Sequence, residues 1–582
     1  MKKTLFCIFA AALTFVACSQ DEPAQTTPEL SVNPTELTVK SDGGTVSFQI
    51  TSNVEWKATT SASWISISPD SGNGNGTVTV TVAANEAYKD RSDNISVNCS
   101  AKRVAVVVKQ EAAEKPVEPV ESKITEVKSA EDFAKFVAAM DLYEATETVK
   151  LATDLTITAP VDSLVCNLDG QDHTITINLE ANEVLTDDPI YANVGVFRRV
   201  NGAVKNLKTS GTIKAIQATS GTYHVGGIAG YATKTASFEN CTNGIDITLT
   251  NANTHHAGGI VGFTETGVSV TGCKNTGKVD AEYEGSSKAS QLGGIIGHLE
   301  GSGTVTSCIN DGPVTYVGAG TPRLGGICGY VNNLVEVTFK DCTNNGAVSS
   351  DATGYTASSW AYVGGHVGYY GTPTEGGHVL YEGCVNNGTV TCDIAGTTLR
   401  ARVAGINCHA GNSNQAADAA GNGINTWEFK NCTNNGDIYL KNGIAATRSQ
   451  IGGIQAYGEI GGTVIIDGCT SNGELHAESA QPQGKWNAVG ALLGGNAAAN
   501  SSFTNNIVTD KVVLHSTSET AHIGLIAGTN NPFKTAATGK VGAATITAGE
   551  TTTVISASNF STFLFGQPLG EGGSADGVTF GN

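Results

Sequence analysis

One glycine phrase recurs across the middle of the chain. It reads HVGGIAG at 224–230, HAGGIVG at 256–262, QLGGIIG at 291–297, RLGGICG at 323–329, YVGGHVG at 362–368 and QIGGIQA at 450–456. A second phrase follows each copy: CTNG at 241, CKNTG at 273, CINDG at 308, CTNNG at 342, CVNNG at 384, CTNNG at 432 and CTSNG at 469, with a degenerate FTNN at 503. The first three cysteines are 32 and 35 residues apart, and later intervals stretch to 42 and 48. A period in this range marks coils that bury their apolar faces by stacking, with insertions carried on some coils.

The composition suits strands better than helices. Val, Ile and Thr alternate with Gly, Asn and Ser, and charged residues are only 15% of the chain. The reading is all-β, with the repeats forming a parallel β-helix whose coils lie about 4.8 Å apart. In such a stack equivalent residues form ladders. The residue before each glycine pair (Val225, Ala257, Leu292, Leu324, Val363, Ile451) is a predicted core ladder. The glycines permit a bend where a Cβ would clash, and stacked asparagines hydrogen-bond along the axis. Because side chains alternate along a strand, the residues two and four before the pair are predicted to face water.

Other segments flank the array. SAEDFAKFVAAM at 129–140 is the one convincing helix, capped by Ser129 with Asp132 three residues on, and it is predicted to cover the end of the solenoid. Before it, EAAEKPVEPVESK at 111–123 reads as a stiff linker. Short alternating runs between 29 and 112 (GTVSFQI, EWKATT, WISISP, GTVTVTV, VAVVVKQ) predict an Ig-like β-sandwich, in which Trp56 and Trp64 are core before they are ligand platforms. The chain opens MKKTLFCIFAAALTFVAC, with two lysines and an apolar run too short to span a bilayer, so it reads as an export signal.

Four resemblances follow from these residues. FVAC resembles a bacterial lipobox, which implies cleavage before Cys18 and its lipidation. The SQDE that follows resembles the surface-export signal of Bacteroidetes lipoproteins. The 29–112 module resembles the BACON domain through Trp56, the SWISISP run, Gly72, Asn85, Arg91 and Gln110, and that family implies carbohydrate or mucin binding, or a spacer. The array resembles the GLUG repeats of bacterial surface proteins. The expected organisation is a signal and lipobox at 1–18, a tether at 19–28, the sandwich at 29–112, a linker at 113–123 and the repeat β-helix at 124–582. The resemblance implies an outer-membrane lipoprotein held by its acyl chains alone and exposed at the cell surface.

The net charge of −20 disfavours nucleic acid as a partner. Catalytic residues and cofactors are expected to be none: the carboxylates are scattered and unpaired in adjacent coils, and no His motif has metal spacing. His255 and His256 read as a solvated strand edge. The ladder cysteines point one way, which is an awkward geometry for bridging, so they read as small buried thiols.

The candidate site lies on the positions predicted to face water. In the middle and late coils they carry Trp360, Tyr362, Arg400, Arg402, Arg448, Gln450 and Trp486, whereas early coils carry Thr222 and Thr254. Aromatic faces stack on sugar rings and guanidinium forks bind hydroxyls, carboxylates or sulfates, so the expected partner is a glycan such as mucin or an acidic polysaccharide. Two other readings are a structural or protein-binding adhesin and a β-helix polysaccharide-degrading enzyme. In the first, Arg and Trp merely cover each other. If the lipobox reading holds, Cys18→Ala releases the protein from the membrane fraction or leaves it unprocessed; unchanged fractionation with normal lipid labelling would refute it.

Overall fold

The computed structural model describes residues 27–100, 102–113, 123–185, 192–217, 222–250, 255–283, 289–333, 335–352, 359–371, 376–394, 400–410, 425–442, 448–458, 462–478, 487–495, 501–517, 522–528, 537–566 and 577–581. The chain divides into two compact units, Met1–Pro119 and Val120–Asn582. Among the described residues no helix is long and apolar enough to cross a membrane.

The first unit is a β-sandwich of a four-stranded and a five-stranded sheet. Its strands alternate buried and exposed residues, as in Gly76–Val82, and their inner faces form one core around Phe48, Ile50, Val78, Val80, Ile95 and Val106. Trp56 belongs to that core: its indole nitrogen donates to the Gly74 carbonyl at 2.8 Å, and Gly72 and Gly76 press on its ring. Trp64 is half-buried under the Arg91 guanidinium, 4.5 Å from its ring. Arg91 Nε donates to Gln110 Oε1 at 2.9 Å, and Gln110 donates to the Ala83 carbonyl at 2.9 Å. Asn85 donates to the carbonyls of Lys89 and Glu111. The polar signature of this module is therefore a clamp on strand ends.

The second unit is a parallel β-solenoid. One coil shows the plan. Strands Ala289–Gly293, Ile296–Glu300, Gly303–Thr306, Ile309–Asn310 and Val314–Gly318 follow in order. Each pairs in parallel with its counterpart in the next coil. The first two strand types build separate ten-stranded sheets, and the other three join one 33-stranded sheet. The helix Ala130–Ala138 closes the first coil. Ser129 Oγ accepts from the Asp132 amide at 3.1 Å, and Phe133 and Phe136 enter the same core as Val149 and Leu151.

The residues before the glycine pairs form the expected core ladder, with Val225, Ala257, Leu292, Leu324, Val363 and Ile451 all inaccessible. The ladder cysteines 241, 273, 308, 342, 384, 432 and 469 are buried and unbridged, and all twelve described cysteines are free thiols. Each bonds to carbonyl oxygens, as Cys342 does to Val305 at 3.3 Å and to Lys340 at 3.4 Å. Burial pushes the Cys342 thiol up to about 12.

The asparagines bind the coils most directly. Asn243, Asn275, Asn310, Asn344, Asn386 and Asn434 are fully buried. Each Nδ2 but the last donates to the Oδ1 of the next at 2.8–2.9 Å, and all six donate to a carbonyl two residues on. The second glycine of each pair makes room for them. A Cβ on Gly294 would lie 2.2 Å from Asn310 Cγ, and one on Gly326 would lie 2.3 Å from Asn344 Cγ. Two coils that lose the asparagine also change the pair, whereas the Ser471 coil keeps Gly452 and Gly453. The coil with Thr209 has the single glycine Gly195, and the coil with Val508 has Ala491 in place of the second glycine. The two recurring phrases are thus the two halves of one contact.

Asn344→Ala strands the Asn310 donor, the Asn386 acceptor and the Gly346 carbonyl in a dry interior. It should cost about 3 kcal/mol, and Gly326→Ala a similar amount, whereas the exposed Asn345→Ala should cost under about 1 kcal/mol. Amide exchange should quicken in the neighbouring coils first, because solenoid stability is local.

Candidate functional site

The glycine pair ends one strand and starts the next, so each coil turns a tight corner there. A Cβ on Gly293 would lie 1.9 Å from the carbonyl oxygen of Ile296, in the strand beyond the corner. On its side away from the main core, two rows of side chains meet. The first lies two residues before the glycine pair and stacks in register as His224, His256, Gln291, Arg323, Tyr362, Arg402 and Gln450. The second lies on the following strand and runs Tyr231, Phe263, His298, Tyr330 and Tyr369, then His409 and Tyr457.

The second row covers the first. His224 lies 4.7 Å from Phe263, His256 4.4 Å from His298 and Tyr362 4.4 Å from Tyr369, centroid to centroid. The expectation that positions two before the pair face water is therefore wrong for most coils. Tyr362 is 7% exposed, Arg402 4% and Gln450 1%, and His255 and His256 are likewise buried rather than a solvated edge. The covering row was missed, although each of its members stands five residues after the first residue of the pair position, as Tyr330 does from Gly325 and Tyr457 from Gly452.

The middle coils gather the guanidinium groups. Arg402 lies 3.8 Å from the Tyr457 ring and 4.2 Å from the Trp360 ring, and its Nε donates to Gln450 Oε1 at 3.3 Å. Arg400 lies over Trp360 at 5.4 Å. Arg323 lies 4.3 Å from the Tyr369 ring and 4.9 Å from the Tyr330 ring. Tyr362, Ala404, Cys408 and Ala456, with Trp360 and Tyr369 against them, form a cluster of their own outside the main core. Five of the candidate residues thus come together: Trp360, Tyr362, Arg400, Arg402 and Gln450. Trp360, Arg400 and Arg448 are half-buried and keep part of their surface accessible. Trp486, Thr254 and Cys18 lie outside the described residues. Trp427, at the end of the longest insertion, is fully buried core.

One carboxylate sits beside the rings. Glu300 accepts from His298 Nε2 at 2.9 Å, from Asn332 at 3.1 Å and from Asn333, and the His298 bond foremost holds its carboxyl down at about 2. The expectation that carboxylates never match in adjacent coils is corrected: Asp351 and Asp393 are direct register partners, hidden in the sequence by the unequal coil lengths. Lys441 Nζ lies 3.7 Å from Asp393 and offsets the charge. Among the described residues no three His, Cys, Asp or Glu side chains are grouped to hold a metal ion.

These features define a two-part all-β protein, a sandwich followed by a repeat solenoid with an aromatic and cationic strip along one corner. Residues 29–113 match the viral BACON domain family, and residues 221–248 match the GLUG motif. No curated protein matches the chain. Solved structures match only in part. A Bacteroides ovatus GH5 xyloglucanase in complex with a XXXG heptasaccharide is 19% identical over 28% of this chain and 39% of its own, with a TM-score of 0.15. WR4, a C. elegans MSP family member, is 16% identical over 14% of this chain and 97% of its own, with a TM-score of 0.12. The CsuC–CsuE chaperone–tip adhesion subunit complex of Acinetobacter baumannii is 11% identical over 18% of this chain and 64% of its own, with a TM-score of 0.13.

The buried imidazoles predict an acid-labile solenoid. Desolvation holds His255 down at about 3 and His256 well below its ordinary value of 6.5. Both stay neutral in the fold, while the unfolded chain takes up protons below about pH 6.5. Their stabilising effect is complete above that value and declines as pH falls toward the folded values, at up to about 1.4 kcal/mol per pH unit for each group. Thermal melts between pH 7 and 4.5 should show this decline, and His256→Gln should flatten it.

Proposed function

We propose that this is a cell-surface glycan-binding protein of the adhesin or capture type, lipid-anchored through Cys18 in the outer membrane, with the solenoid as its binding element. The observation that carries the reading is the strip at Trp360, Arg400 and Arg402. It sets an indole and two guanidinium groups side by side in a chain with only five tryptophans and a net charge of −20. Stacking holds these guanidinium planes in place before any ligand arrives, so less side-chain freedom is lost on binding.

Burial divides the labour. Tyr362, Arg402 and Gln450 position their neighbours. The half-buried Trp360, Arg400, Arg323 and Tyr369 are the surfaces offered to sugar rings and to their hydroxyl or acidic groups. The two domain matches are consistent with this role. Our reading includes no enzymatic step; Lys441 offsets the charge of the Asp351 and Asp393 pair. The competing reading is an adhesin whose stacks are purely structural, favoured by the near-complete burial of Arg402.

A glycan array with the soluble ectodomain supplies the ligand, and titrations of variants then separate the readings. Trp360→Ala should weaken binding by about 1–3 kcal/mol with the fold intact. Arg400→Ala should matter more for an acidic glycan than for a neutral one, and less as salt rises. Thr222→Ala, at the same position of an early coil, should change nothing. Identical curves for Trp360→Ala and wild type, against a glycan the ectodomain binds, would remove this site and leave the structural adhesin.

A further inference from the structure

A second feature lies on the outer side of the 33-stranded sheet, on strands separate from the glycine corner. Strand Leu475–Glu478 pairs in parallel with Val513–Ser516, and His476 stands directly opposite His515. The two rings turn their Nδ1 atoms toward each other, 3.2 Å apart. On the far side of the first ring, His476 Nε2 lies 2.9 Å from Glu474 Oε2. An ionised carboxylate only accepts, so the His476 proton sits on Nε2 and its Nδ1 presents a lone pair. The ring is held flat by Tyr439, stacked at 5.0 Å and 13°. The His515 ring stands nearly perpendicular to it, at 79°.

These are the elements of a chelate. A divalent transition ion takes imidazole nitrogens at about 2.0–2.1 Å, which in tetrahedral geometry places two of them about 3.3 Å apart. The rings already hold that separation. The carboxylate behind His476 is the usual outer partner of a metal-bound histidine, because it fixes the tautomer and raises the basicity of the ligating nitrogen. Glu478, on the same outward side two residues after His476, adds negative charge that acts on His515. Nitrogen donors select against calcium and magnesium and in favour of zinc, nickel or copper.

We propose that His476 and His515 form a two-imidazole site for a divalent transition-metal ion, bridging adjacent coils, with Glu474 as its positioning residue and water in the remaining coordination positions. Without metal, His515 donates its Nδ1 proton to His476 Nδ1. On binding, that proton moves to His515 Nε2 or to solvent, and both Nδ1 lone pairs face the ion. The pairing was invisible in the sequence because its members are 39 residues apart, on different coils.

Calorimetric titration of the full chain with Ni2+ and with Zn2+ alone at pH 7.5 tests this. Wild type should bind one ion at a site that weakens at least tenfold in His476→Gln and in His515→Gln, and about tenfold in Glu474→Gln. Acidification to pH 5.5 should weaken it, because protons compete with the ion for imidazole nitrogens. Bound Ni2+ should also slow amide exchange in Leu475–Glu478 and Val513–Ser516, a readout that a thiol-bound ion would not produce. Circular dichroism checks that each variant keeps its fold. Failure of wild type to bind, or equal affinity in wild type and both histidine variants, would overturn the proposal.

Discussion

Six buried asparagine amides, each bonded to the next, set the dimensions of the solenoid. A primary amide in a dry interior is costly unless its donors and acceptor are all engaged. Here the first five side chains meet that condition only if the next coil sits one strand spacing away with its own asparagine in register. The space for the amide exists only if the strand across the coil carries glycine, as Gly294 does for Asn310. Register and coil spacing in these coils are thus tied to one contact beside the apolar ladders. The coil with Ala491 and Val508 shows the alternative, an apolar pair in which both partners change together.

The strip on the corner depends on the same glycines. Because they let one strand end and the next begin almost at once, side chains that would diverge into solvent on an open bend are folded against each other. The early coils fill that fold with histidine and phenylalanine, and the middle coils with tyrosine, tryptophan and arginine. A shared backbone therefore carries different chemistry along its length without altering its core.

The architecture was legible because it rests on identities that recur: the glycine pair, the cysteine and the asparagine appear at matching places, and the core ladder from Val225 to Ile451 could be read from them. Ser129 and the two phenylalanines after it announced the cap in the same way. For Trp360, Tyr362, Arg400, Arg402 and Gln450 the shared side of the strand was legible, but their exposure was not. Alternation along a strand says which side of the sheet Tyr362 and Arg402 leave from. It does not say that the next strand folds back over them, since that depends on the angle of the corner. Asp351 with Asp393 and His476 with His515 were hidden for another reason: insertions of unequal length displace register partners in the sequence while leaving them adjacent in space.

Every amide in the buried row donates in the same sense, from Asn243 toward Asn434, and Thr209 Oγ1 supplies the donor that starts it, 2.7 Å from Asn243 Oδ1. Parallel dipoles in a low-dielectric interior add, as peptide dipoles do along a helix. The row is therefore polar along the solenoid, with partial negative charge toward the capping helix and partial positive charge toward the Ser471 coil. A coil gained by duplication fits this row in one orientation only, so the array can lengthen or shorten by whole repeats while its direction is inherited.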